Sequence, residues 1–158
     1  MLPIAIRPAT PADTILLAEL ICSLAEYERL SDVCTITPEV LETHLFSKRP
    51  VAEAVIAELD GEAQGFALFF TTFSTFVGKP SLYLEDLFVK PDARGKGIGK
   101  SLLLHLVRLA KDRGYGRVEW AVLDWNEPAI QFYKKLGARP MEDWKIFRLD
   151  ETAMANLP

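Results

Sequence analysis

Hydrophobic and polar positions alternate along this chain with two periods, and the switches between them outline the elements. Residues 4–7 predict a short first strand. Thr10-Pro11-Ala12-Asp13 then reads as a helix start, with Thr capping, Pro in the first turn and Asp at the positive end. Leu17, Leu20, Ile21 and Leu24 follow at i, i+3, i+4 and i+7, an amphipathic helix running to about Leu30 with Cys22 as part of its core face. A second helix is expected from Thr37-Pro38-Glu39 to a point before Pro50. Period two returns in 53–59 and 63–73, which flank the hairpin signal Asp60-Gly61, and again in 82–89, stopped by Pro91-Asp92. Ile98, Leu102, Leu106 and Leu109 mark a helix over 97–112 that Gly114 ends. Strand 117–123 follows, then a helix from an Asn126 cap to Leu136, terminated by Gly137, then two short strands near 138–141 and 144–149. The order β-α-α-β-β-β-α-β-α-β-β predicts a mixed α/β layered domain.

Length and composition narrow the class. The chain has 158 residues, 49% of them hydrophobic and 25% charged, which suits one globular domain spanning 1–158. The longest apolar run, Phe66 to Phe70, is far below the ~20 residues that span a bilayer, and the N-terminal residues lack a signal-peptide pattern, so the expectation is cytoplasmic with no membrane partner. Cys22, Cys34, His44 and His105 have no metal-ligand spacing, so no metal is expected. The net charge of −4 argues against nucleic acid as a partner, but its distribution is uneven. Residues 90–117 hold eight basic residues and two acids, against ten and twenty in the rest. That asymmetry suits a compact anion at one place and a cation at another, or a solvated basic helix face.

The sharpest local feature is Arg94-Gly95-Lys96-Gly97-Ile98-Gly99-Lys100-Ser101, between a strand and a helix. Glycines let backbone approach a ligand, and N–H groups at a helix start bind phosphate. Walker A spacing fails because its first position is Arg94, and GxGxxG fails at Lys100 and Leu102. What fits is (Arg/Gln)-x-x-Gly-x-(Gly/Ala), from Arg94, Gly97 and Gly99, after the strand LYLEDLFV. A second motif, Asn126-x-x-Ala129-x-x-Phe132-Tyr133-x-x-x-Gly137, lies downstream after the next strand.

In these two motifs the chain resembles the GCN5-related N-acetyltransferases (GNAT). IRPAT, LAEYERLSD, YLEDLFV, RGKGIG, AVLDWNEPAI and FYKKLGA narrow the likeness to the diamine acetyltransferase group, its thialysine branch more than its polyamine branch. Phe76 departs from the pattern, standing where that group usually carries Trp, and the segment between Gly137 and Trp144 is shorter. The resemblance implies a single-domain GNAT fold, with a mixed, mostly antiparallel sheet flanked by helices, a homodimer, and acetyl-CoA as co-substrate. It places the CoA arm along Leu87, Phe88 and Val89, the pyrophosphate on Arg94, Gly95, Lys96, Gly97, Ile98, Gly99 and Lys100, and further contacts at Asn126 and Ala129.

Acetyl transfer to an amine needs a neutral nitrogen. A lysine-like amine with pKa about 10.4 is ready in roughly one molecule per thousand at pH 7.4, so a nearby carboxylate must accept the proton. Strand alternation in LYLEDLFV puts Leu82, Leu84, Asp86 and Phe88 on one face and Tyr83, Glu85, Leu87 and Val89 on the other, both covered. Glu85 matches the family's substrate-facing carboxylate, and the resemblance makes it the base, acting through water, as well as an amine ligand. Asp86 is expected to organise the loop as a hydrogen-bond acceptor. Tyr133 matches the family's general acid, although Ala129, Phe132, Tyr133 and Leu136 also form a core stripe. Tyr27, Glu28 and Glu142 are the matching amine-site positions. The expected reaction is direct attack by a small cationic primary amine: a thialysine-, lysine- or ornithine-like amino acid, or a polyamine. A protein N-terminal acetyltransferase and a non-catalytic acetyl-CoA-binding regulatory module are the alternatives.

Overall fold

The computed structural model describes residues 3–158. They form β1 (Ile4–Pro8), α1 (Thr14–Tyr27), α2 (Pro38–Leu45), β2 (Glu53–Leu59), β3 (Glu62–Ser74), β4 (Lys79–Val89), α3 (Ile98–Asp112), β5 (Arg117–Trp120), α4 (Glu127–Lys135) and α5 (Glu151–Ala155). Contacts group the chain into two compact units, Met1–Ala121 and Val122–Pro158. In the first, five strands lie in the order β1-β2-β3-β4-β5, all antiparallel except the parallel β4–β5 pair. This is the mixed α/β domain that the order of elements predicts, with the mostly antiparallel sheet that the resemblance implies.

Each face of the sheet is closed by helix. The buried stripe of α1 (Leu17, Leu20, Leu24) and Leu41 and Leu45 of α2 pack with Ala54, Ile56, Phe66 and Phe88. On the other side, Gly99 of α3 lies over Leu87 and Val89. Ile98, Leu102 and Leu106 are all but fully buried. The β2–β3 hairpin turns at Asp60 (φ 57°) and Gly61 (φ 78°), both in the left-handed region that a two-residue type I′ turn requires.

Capping explains where the helices begin. Thr37 accepts a hydrogen bond from the Val40 N–H at 3.2 Å and starts α2. Before α1, Asp13 takes the larger role expected of Thr10, accepting from the Thr10 N–H (2.7 Å) and hydroxyl (3.0 Å). Arg7 also binds it through both terminal guanidinium nitrogens, and this pairing holds the Asp13 carboxyl down to about 2.

Four expectations are corrected. Helix α1 ends at Tyr27 rather than Leu30, because Arg29 turns to φ 61° and the Leu30 N–H closes back on the Ala25 carbonyl. Cys22 is exposed, since it falls beside the Leu17–Leu20–Leu24 stripe and not on it. Strand β5 stops at Trp120, short of residue 123. Neither 138–141 nor 144–149 is a strand. An alternating pattern becomes a strand only when a ladder partner takes its N–H and C=O groups. Here the Trp144 N–H turns back to the Met141 carbonyl, Ile146 and Phe147 are exposed, and Asp150 caps α5 instead.

Candidate functional site

Strand β4 carries the site because its ladder is irregular. Leu68 pairs with Asp86 and Phe69 with Leu84, so Glu85 is an extra residue, a bulge. Beyond it the alternation reverses. Asp86 and Phe88 pair with Leu68 and Phe66 on the α1 face, whereas Leu84, Leu87 and Val89 share the opposite face with Phe69 and Ala67. Asp86 therefore does not share a face with Leu84, as simple alternation predicted, and Glu85 is exposed rather than covered.

The bulge gathers acids. Glu28, at the end of α1, is held above the ordinary carboxylate range by burial and by repulsion from Glu85. Asp86 is pushed up to about 7 by burial, then by Glu85 and Glu28. No hydrogen bond holds the Asp86 carboxyl among the described residues, so the expected loop-organising role is not what it does. The Tyr83 hydroxyl is raised by burial and by the charges of Glu85 and Glu119. This crowd of like charges, set in a partly dry site, favours a bound cation.

The same stretch leaves backbone open. Strand β5 pairs only with Ser81–Leu84 of β4. The Lys90 N–H bonds the Gln64 carbonyl in the β3 direction, so alternation turns the N–H groups of Leu87 and Val89 to the edge away from β3. Gly65 of β3 makes the close strand approach possible, since a Cβ there would lie 2.6 Å from the Phe88 carbonyl oxygen. The sequence reading missed Gly65; its signal was a glycine interrupting an apolar strand.

At the head of α3 the loop is shaped for an anion. Gly95 (φ 77°) and Gly97 (φ 83°) adopt left-handed backbone, and a Cβ at either would meet nothing within 4 Å. Lys96 and Lys100 are exposed beside them. Ile98 is buried and anchors the loop, and Gly99 lets α3 settle on Leu87 and Val89. These residues fit a pyrophosphate: open backbone, first-turn N–H groups and two cations.

Arg94 is turned away from its neighbours in the loop. Its Nε donates to the Val89 carbonyl (3.0 Å), and its guanidinium lies 4.9 Å from the Tyr27 ring centre and 5.5 Å from that of Phe88. With Ser23, Glu26 and Pro91 these three line an open groove of about 350 Å³. Tyr27 thus packs under Arg94 while Glu28, next in sequence, joins the acids. The second half of the basic stretch is not simply a solvated face, because Arg113 binds both carboxylate oxygens of Glu53.

In the second unit, Asn126 sits at the cap position of α4 without making the capping side-chain bond. Ala129 and Tyr133 follow on α4, with the Tyr133 ring 5.4 Å from that of Phe132, both half-buried. Glu142 is exposed in the irregular segment after α4.

The model of the acetyltransferase (GNAT) family matches residues 21–138. The chain belongs to that family. Among curated relatives of this GNAT chain, the thialysine N-epsilon-acetyltransferase of Sus scrofa is 38% identical, covering 99% of this chain and 98% of that protein. The L-ornithine N5-acetyltransferase NATA1 of Arabidopsis thaliana is 30% identical over 94% of this chain and 85% of its own length. Among solved structures, an integron cassette protein of V. cholerae superposes with a TM-score of 0.81 at 26% identity, covering 96% of this chain and 95% of that one. The chain is accordingly an N-acetyltransferase, and enzymes of its family draw the acetyl group from acetyl-CoA.

Proposed function

We propose that this GNAT enzyme acetylates a primary amine of a small molecule carrying a second positive charge, with acetyl-CoA as donor. Thialysine-, lysine- or ornithine-like amino acids and polyamines are the substrate class. The observation that carries this reading is the carboxyl cluster of Glu28, Glu85 and Asp86, in which burial and the nearby charge of Glu85 raise the proton affinity of Glu28 and Asp86. A cation among them relieves that repulsion, and a dication relieves more of it. The relatives named for thialysine and for L-ornithine support the same substrate class.

Acetyl-CoA, when bound, supplies an activated thioester carbonyl. The loop Arg94–Lys100 holds its pyrophosphate and the open edge of Leu87–Val89 takes its arm, with Asn126 and Ala129 as further contacts. Tyr27, Glu28 and Glu142 receive the amine. Glu85 accepts the ammonium proton through water, leaving a lone pair free to attack the carbonyl carbon. The N–H groups of Leu87 and Val89 polarise the carbonyl oxygen as charge builds there. Tyr133 gives its phenolic proton to the departing sulfur. No acyl group passes through the enzyme. Homodimerisation belongs to the same reading and rests on the resemblance to the diamine acetyltransferases.

A panel of mono- and diamines assayed for free CoA tests this. Turnover concentrated on diamines and dibasic amino acids is expected. Turnover confined to peptide N-termini supports the protein-substrate alternative, and acetyl-CoA binding without turnover on any amine supports the regulatory module. Tyr133→Phe should keep acetyl-CoA affinity and slow turnover by about tenfold or more; an unchanged rate removes Tyr133 as the acid.

A further inference from the structure

Cys22 and Cys34 have no part in the chemistry above, yet the fold brings them together. Cys22 is on the exposed side of α1, and Cys34 follows the short 3₁₀ turn Ser31–Val33. Their sulfurs are 3.8 Å apart, and both are free thiols. The juxtaposition is a product of the chain reversal at Arg29, whose φ of 61° ends α1 and folds the following segment back along it. A metal is a poor explanation for the pair, because among the described residues no group of three His, Cys, Asp or Glu is gathered to hold one. A disulfide requires sulfurs at about 2 Å, a closure within reach of side-chain rotation at two partly accessible positions.

We propose that Cys22 and Cys34 are a redox modification site, a dithiol that low-molecular-weight disulfides oxidise to an intramolecular disulfide strapping residues 23–33. The thiolate of one cysteine attacks the small disulfide, forming a mixed disulfide and releasing one small thiol. The thiolate of the other then attacks the protein sulfur of that mixed disulfide, closing the protein bridge and releasing the second small thiol. Two electrons pass from the protein to the small disulfide, and both protein thiol protons end on the small thiols or in solvent.

The strap encloses Tyr27 and Glu28, the residues that pack under Arg94 and face Glu85. Fixing that segment changes how readily those side chains adjust to a ligand. Oxidation therefore acts first on the amine side of the reaction and reaches the glycine loop only through the Tyr27–Arg94 contact, a consequence that rests on the function proposed above.

Oxidised glutathione is the probe. Trypsin cuts between the two cysteines only after Arg29, and the Arg7-Pro8 bond resists it, so the bridge joins the N-terminal peptide ending at Arg29 to Leu30–Lys48. The full chain treated with oxidised glutathione should yield that joined pair by mass spectrometry, and dithiothreitol should separate it. Cys22→Ser and Cys34→Ser should each abolish the pair while keeping the activity and circular dichroism of the reduced enzyme. The bridged enzyme should show an amine KM altered roughly twofold or more, a larger change than in the acetyl-CoA KM. A lasting glutathione adduct on one cysteine, or a bridge between two chains, overturns the intramolecular disulfide. A bridged enzyme with unaltered amine KM overturns its coupling to the site. The peptide readout needs no catalysis, so failure of the bridge and failure of the proposed function are told apart.

Discussion

The glycine loop before α3 and the acidic bulge of β4 are neighbours in sequence, yet they are built on opposite principles. The loop is made by consecutive residues. Gly95 and Gly97 supply left-handed backbone, Lys96 and Lys100 supply charge, and α3 supplies its first-turn N–H groups. The bulge becomes a site only when Glu28, from the end of α1, comes beside Glu85 and Asp86. One region attracts an anion by offering donors at little cost. The other is under electrostatic stress until a cation arrives. On the function proposed above, an enzyme joining an anionic donor to a cationic acceptor thus keeps the two from competing for one site.

Breaking the acidic side at Glu85 should have the largest effect. Glu85→Gln is expected to lower kcat by about a hundredfold or more at neutral pH, with the loss shrinking as pH rises and more amine is already neutral. Steady-state rates across pH check this, and a wild-type kcat at pH 7 would remove Glu85 as the proton acceptor.

Breaking the loop should be smaller and confined to the donor. Gly97→Val forces a β-branched residue to φ 83°, a strain of about 1–2 kcal/mol, so the acetyl-CoA KM should rise roughly tenfold. The amine KM should stay near its starting value. If both constants rise together, the two regions are not independent.

Gly65→Ala tests the backbone that joins them. Its Cβ would lie 2.6 Å from the Phe88 carbonyl oxygen, between the acids and the loop, and backbone cannot rotate away. A loss of about 1–3 kcal/mol in stability is expected, read by thermal or denaturant unfolding, with both KM values disturbed. Unchanged unfolding would mean that β3 and β4 have slack there.

The smallest effect concerns Asp86. Its folded-state carboxyl sits at about 7, above its ordinary 3.8, so the fold favours the protonated form. That contribution is complete at pH values below the ordinary carboxylate range and is lost as pH rises through about 7. Asp86→Asn should remove this loss, stabilising the protein by about 1 kcal/mol at pH 8 relative to pH 6. Denaturant midpoints at the two pH values measure it, and an identical difference in both proteins would contradict it.

How much of this was legible in the chain depends on the range of the interaction. Leu17, Leu20 and Leu24 announced α1, and Asp60-Gly61 announced its hairpin, because those signals act within a few residues. The Arg94–Lys100 loop and the Asn126–Gly137 motif were legible for the same reason. The end of α1 was not, because the turn was taken by Arg29 where glycine is the usual signal. The alternating residues after Gly137 looked like strands, but alternation says which side chains could share a face and not whether a partner strand exists.

By itself, then, the sequence determined most elements up to α4 and the glycine loop, since helix periods, turn residues and glycine spacing are properties of neighbouring residues, and its two motifs carried the resemblance to the family. Only the tertiary structure decided that Glu85 is the extra residue in the β4 ladder, that Asp86 faces α1, and that Cys22 meets Cys34. A bulge is defined only against the strand it pairs with. The proton affinity of a carboxyl, likewise, is set by the charges and burial that distant parts of the chain bring to it.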